Sequence, residues 1–182
     1  MKITRIDSSF PAISIDDFMP SEALARAAAE SFDRVPDEDW VKYGGENAGQ
    51  VQYCSKSRLK TTPEALLVMD YISTHFDPSK MFGDFNLNWK REYSAVLCIS
   101  ENYDESFDLL LHDGKTKHTR LPYKFNRLNV FKCSDSSWHG LPEITKGLNR
   151  KTLGVMYWSV ITDEERKTAR TKAKFKYDLE FK

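Results

Sequence analysis

Past Pro78 the chain stops reading as helix and starts reading as a series of short strands. Residues 92–100, 107–111, 128–131 and 152–160 are each rich in β-branched, aromatic and leucine side chains, and turn formers such as Asp113-Gly114 separate them. In the last of these runs Leu153, Val155 and Tyr157 fall on one face. Strands this short, joined by turns rather than by helices, predict an antiparallel sandwich or barrel.

Upstream the pattern differs. Residues 10–18 alternate apolar and polar and predict a short strand. Pro20-Ser21 then opens a helix with Ser21 as N-cap, and Leu24, Ala28 and Phe32 recur every fourth residue to give it one buried stripe. Pro36 ends it. Residues 37–60 read as a long loop broken by Gly44-Gly45 and Gly49, and long loops often serve sites. Pro63 starts a second helix with Ala65, Met69, Ile72 and Phe76 on one stripe. Residues 163–174 predict a polar surface helix.

At 182 residues the chain suits one domain, divided into a helical N-terminal layer (1–80), a β core (81–162) and a basic tail (163–182). Lys+Arg and Asp+Glu both number 27, so the chain lacks the basic footprint of a nucleic-acid binder, and the basic run in the tail reads as a solvated face. No apolar run approaches the ~20 residues that a membrane span needs, and the N-terminus has no apolar stretch of the signal-peptide kind. Cys54, Cys98 and Cys133 are odd in number and without metal-type spacing, so they read as reduced thiols in a cytoplasmic protein.

One stretch is specific. Asn126-Arg127-Leu128 with Phe131, then Ser137-Trp138-His139-Gly140, then Arg150-Lys151-Thr152 resembles the closing signature of the iron(II)/2-oxoglutarate-dependent oxygenases, the superfamily that includes the prolyl hydroxylases. The resemblance implies an α+β, mainly β fold. It is a double-stranded β-helix, or jelly roll, with supporting N-terminal helices and a C-terminal polar helix. It also implies Fe(II) as metal and 2-oxoglutarate as cosubstrate. By position His139 takes the role of the distal iron ligand, while Arg150 binds the far carboxylate of 2-oxoglutarate with help from the Thr152 hydroxyl. Those residue types suit these roles, since a planar guanidinium clamps a carboxylate with two parallel hydrogen bonds and strand residues two apart share a face. More weakly, residues 91–100 resemble the family strand ending in Tyr-Leu-Asn, and residues 108–113 resemble a later strand, without its glycine pair.

The family also places a His-x-Asp pair upstream of the strand at Arg91. His75-Phe76-Asp77 has that spelling and lies 64 residues before His139, at the end of a helix pattern. Phe82-Gly83-Asp84-Phe85-Asn86 resembles the family's His-x-Asp-Phe-Asn with phenylalanine in the histidine's place. With the first pair, iron sits on His75, Asp77 and His139, and the chain is an oxygenase that hydroxylates a small molecule or a protein side chain. With the second, the chain is a jelly-roll binding protein that has lost part of its metal site. His112 and His118, beside the Asp113-Gly114 turn, read as surface histidines, Asp135 as a turn residue, and Trp138 as core or pocket lining.

Overall fold

The computed structural model describes residues 1–42, 52–53, 62–78, 82, 91–112, 118–134 and 136–158. Two helices, α1 (Glu22–Ser31) and α2 (Pro63–His75), form where the caps predict. The Ser21 side chain accepts from the Leu24 amide, and Pro63 occupies the first turn of α2. Both positions suit these residues, since a serine oxygen satisfies an orphan amide and proline has no amide to orphan. The inward faces are Ala25 and Ala28 on α1 and Ala65, Val68 and Ile72 on α2; the small alanines let the two helices lie close together while Val68 and Ile72 fill the core.

The strands are β1 (Lys2–Ile6), β2 (Ala12–Asp16), β3 (Val41–Lys42), β4 (Gln52–Tyr53), β5 (Arg91–Cys98), β6 (Leu109–His112), β7 (His118–Leu121), β8 (Leu128–Lys132), β9 (Trp138–Gly140) and β10 (Thr152–Trp158). Every pairing is antiparallel. One sheet runs β1-β2-β8-β5-β10, a second runs β7-β6-β9, and β3 pairs with β4. The chain is therefore α+β and mainly β, as its run of short strands predicts.

Alternation along the strands sorts the core into layers. Ile13, Ile15, Tyr93, Ala95, Leu97, Leu128, Val130 and Leu153 leave one face of the five-stranded sheet and pack under the two helices. From the opposite face Ala12, Phe131 and Cys133 meet Leu109, Leu111 and Leu121 of the three-stranded sheet. The helices and the small sheet thus cover opposite faces of the large one.

Several elements depart from the expected pattern. A further strand, β1, pairs with β2 along its whole length, yet its residues are almost all exposed, so burial left no alternating signal. The segment 37–60 is not wholly a loop: residues 37–39 form a 3-10 turn and β3 pairs with β4. Strands β7 and β9 are too short, at four and three residues, to show a period. The expected tail helix, at residues 163–174, lies outside the described residues.

An ion pair joins the start of the large sheet to its centre. Arg127 Nε donates to Asp16 Oδ1 at 2.6 Å, and Lys124 Nζ stands 3.7 Å from Asp16 Oδ2. The hydrogen bond from Arg127 holds the Asp16 carboxyl below the ordinary aspartate value of 3.8, despite the opposing effect of burial. A depressed folded-state value stabilises the fold above the unfolded value, and that stabilisation is lost as pH falls through the folded one. Asp16→Asn is therefore expected to lower the unfolding free energy by about 1 kcal/mol at pH 7. Denaturant titrations of wild type and variant should converge as the pH drops below 3.8. A gap that persists in acid would assign the effect to packing instead.

Candidate ligand site

The space between the two sheets is more polar than a sandwich core needs to be. Ser14, Ser94 and Asn129 are buried, and the Ser14 hydroxyl donates to Asn129 Oδ1 at 2.6 Å. Asn129 Nδ2 lies 3.8 Å from Cys98 Sγ. Asn129 sits between Leu128 and Val130, which face the helices, so its own side chain is turned toward the small sheet. Across β5 and β10 the same face continues through Cys98, opposite Thr152, and Val96, opposite Gly154. A Cβ added at Gly154 would meet nothing within 4 Å, so the wall is open there.

Arg150 lies at one end of this face, just before β10. Its Nε donates to the Phe107 carbonyl at 2.8 Å, its Nη1 stands 3.5 Å from Thr152 Oγ1, and its guanidinium carbon lies 5.4 Å from the centroid of the Tyr123 ring. Tyr123 is itself fixed: its hydroxyl donates to the Lys151 carbonyl at 2.7 Å and accepts from the Ser100 amide at 2.6 Å. Cys98, Phe107 and Tyr123 make a buried floor beneath the guanidinium.

Electrostatics at this floor are one-sided. Burial pushes the Cys98 thiol up to about 11 and the Tyr123 phenol up to about 12, so both are neutral at physiological pH. Burial also pulls the Arg150 guanidinium below its ordinary value, yet an arginine keeps its charge in a protein. Among the described residues no carboxylate forms an ion pair with it. Asp108, the acid on its side of the fold, is committed elsewhere: Oδ1 accepts from the Tyr123 amide at 2.7 Å and Oδ2 lies 3.4 Å from Arg120 Nη1. The result is a half-buried cation with a hydroxyl beside it, an aromatic face below it and, among the described residues, no ion-pair partner. A planar guanidinium in such a setting is chemically suited to a carboxylate.

His139, on β9, stands opposite Leu111, whose side chain is in the core between the sheets. Its ring packs 4.6 Å from the ring of Phe131, so His139 also faces that space, at an exposed position. The nitrogen Nδ1 lies 3.0 Å from the Ser137 carbonyl. Donation by Nδ1 to that carbonyl leaves Nε2 as the basic nitrogen, the tautomer that ligating histidines use.

His75 and Asp77 sit elsewhere. His75 closes the last turn of α2, with Nδ1 3.0 Å from the Tyr71 carbonyl and its ring stacked 4.0 Å from that of Tyr71. Phe76 packs in the core under the helices, and its carbonyl accepts from the Tyr157 hydroxyl at 3.2 Å. Asp77 follows, exposed, near enough to add to the burial that pushes Tyr157 up to about 12. His75 and Asp77 thus belong to the helix layer, and His139 to the sheet on the far side. His112 pairs in register with Trp138 and with His118, one step out of phase with the Leu111–His139 pair. Of the second upstream candidate only Phe82 is described, its ring stacked 5.0 Å from that of Tyr93; Asp84, like Asp135, lies outside the described residues. Among the described residues no group of three or more His, Cys, Asp or Glu could hold a metal ion. Nor is any helix among them long and apolar enough to cross a membrane.

The structure thus brings Arg150 and Thr152 together on one face and leaves His75 and Asp77 apart from His139. Tyr123, Phe107 and the Ser14–Asn129 pair escape sequence reading, because only the register shows that they line the same space. Asn129 alone leaves a signal, as a polar residue inside an apolar strand.

No protein-family model matches the sequence, and no curated protein does. Solved structures do resemble the fold. A prolyl-4-hydroxylase from Pseudomonas putida superposes with a TM-score of 0.54 at 16% identity, over 84% of this chain and 95% of that one. A prolyl hydroxylase from Trichoplax adhaerens, in complex with a hypoxia inducible factor oxygen degradation domain peptide fragment, superposes with a TM-score of 0.62 at 10% identity, over 87% of this chain and 86% of that one. At such identities the likeness is one of fold.

Proposed function

We propose that this chain is a jelly-roll protein of the iron(II)/2-oxoglutarate oxygenase class, and that its central function is the capture of 2-oxoglutarate by Arg150 and Thr152. The observation that carries this reading is the half-buried guanidinium without a carboxylate partner among the described residues, set beside a hydroxyl in a fold like that of the prolyl hydroxylases. The far carboxylate of 2-oxoglutarate supplies the missing counter-charge, and Tyr123 and the Phe107 carbonyl hold the guanidinium in place to receive it. Isothermal titration of 2-oxoglutarate into the purified protein, under anaerobic iron(II), tests the reading. We expect saturable binding with one site per chain; no heat at millimolar ligand would dismiss it.

Iron(II) fares differently from its cosubstrate. In non-haem oxygenases it is held by two histidines and a carboxylate on one face. His139 meets the space between the sheets, but His75 and Asp77 lie in the helix layer and do not fit the same ion, so no oxidation step is drawn through it. The fold likeness favours a second reading, in which the chain turns over as an oxygenase on a small molecule or a protein side chain. That reading expects oxygen uptake dependent on 2-oxoglutarate and a visible band on adding iron(II) and 2-oxoglutarate together. It also expects both signals to vanish in His139→Ala.

A further inference from the structure

The chain contains four histidines, and the fold assigns a place to each. A site of two histidines and one carboxylate needs a second histidine beside His139, on the face toward the large sheet. His75 lies across the large sheet, with its ring on Tyr71 in the helix layer. Packed sheet layers stand about 10 Å apart, several times a metal–ligand bond. His112 neighbours Leu111 on β6, and successive strand residues point to opposite faces. Since Leu111 faces the large sheet, His112 faces away from it. His118 stands in register with His112 on β7, with β6 between its strand and that of His139. No second histidine position therefore joins His139, whatever carboxylates lie nearby.

The carboxylate clamp, by contrast, is complete. Arg150 is held by the Phe107 carbonyl and the Tyr123 ring, with Thr152 beside it, and none of these contacts depends on a metal. In a two-histidine site the 2-oxo acid end of the cosubstrate is held by the ion and the far carboxylate by arginine. With that first anchor unsupported, the clamp is left to read the carboxylate alone.

Building on the 2-oxoglutarate reading above, we infer that this protein binds its ligand without metal, as a receptor for small carboxylates that recognises the carboxylate end and not the 2-oxo group. Two consequences separate this from an oxygenase site. Divalent metal leaves affinity unchanged, and glutarate, which lacks the 2-oxo group, binds as well as 2-oxoglutarate.

The test is a set of calorimetric titrations on the full chain, with 2-oxoglutarate and with glutarate. Each is run in EDTA and again under saturating Mn(II), a redox-stable stand-in for iron(II). We expect the four dissociation constants to agree within about threefold, a difference below 1 kcal/mol, and His139→Ala to leave them unchanged. Tenfold or greater tightening of 2-oxoglutarate by Mn(II), absent for glutarate and lost in His139→Ala, overturns the inference while leaving the 2-oxoglutarate reading intact. Failure of both ligands to bind in either condition overturns both.

Discussion

Replacing Arg150 with methionine is expected to weaken 2-oxoglutarate binding by at least about 100-fold, while the folded state keeps its stability to within about 1 kcal/mol. The two halves of that expectation have separate causes. A bidentate guanidinium–carboxylate contact comprises two charge-assisted hydrogen bonds, each contributing about 1.5–3 kcal/mol. Their joint loss, about 3–6 kcal/mol, corresponds to a factor of at least about 100 in affinity. Stability follows a different sum. Methionine leaves the Phe107 carbonyl without its donor, but it also removes a charge that sits half-buried over Cys98 and Tyr123, with no ion-pair partner among the described residues. Exchanging a half-buried cation that lacks an ion-pair partner for a flexible apolar chain is close to neutral or favourable. Arg150→Lys sharpens the assignment. Lysine keeps the charge but brings a hydrated point charge on a mobile stem, with no plane to lie over Tyr123, so binding should still fall by tenfold or more. Calorimetry for affinity and denaturant titration for stability measure both. A lysine variant that binds like wild type would reduce the site to a general positive field.

How much of this is legible in the sequence depends on what each residue has to do. The motif around residues 126–131 is readable as a family resemblance, and the structure gives each of its residues a role. Asn126 makes a turn, Arg127 pairs with Asp16, Leu128 enters the core under the helices, and Phe131 fills the space between the sheets against His139. Helix α2 is legible because Pro63 and a repeating apolar stripe depend only on local geometry. Val68, fully buried on the same helix, belongs to that stripe and escapes the fourfold count. The floor of the candidate site is not legible at all. Tyr123 and Phe107 come from different connections, 16 residues apart, and meet Arg150 only because β6 and β7 fold back over the large sheet. The placement of His75 is half legible: its position at the end of an amphipathic helix is plain, but which face of the sheet that helix covers is a property of packing. Local spelling identifies His-x-Asp; the third dimension separates it from His139.

Asn126 carries the largest expected effect on stability. It is nearly fully buried and adopts a positive φ of 58°, a left-handed conformation that asparagine tolerates better than most residues. Its side chain brackets Met19 completely: Oδ1 accepts from the Met19 amide at 2.8 Å and Nδ2 donates to the Met19 carbonyl at 3.0 Å. Its backbone adds two more ties, accepting from the Phe18 amide at 3.1 Å and donating to the Cys98 carbonyl at 2.9 Å. One residue thereby fastens the segment leading into α1 to the strand that provides the floor of the Arg150 site. Asn126→Ala leaves two buried backbone groups at Met19 without partners, at about 1–3 kcal/mol each, and adds about 1–2 kcal/mol for a left-handed alanine. A loss of about 3–8 kcal/mol is expected, which for a chain of this size lowers the thermal midpoint by roughly 10 °C or more. Asn126→Gly divides the effect: glycine accepts the positive φ but cannot reach Met19, so it should recover about 1 kcal/mol of the alanine loss and no more. Thermal unfolding of the two variants distinguishes the contributions. If glycine restored wild-type stability, the conformation of the turn would account for everything and the Met19 bracket for nothing. If glycine and alanine fell equally far, the bracket alone would join the helical layer to the sheet.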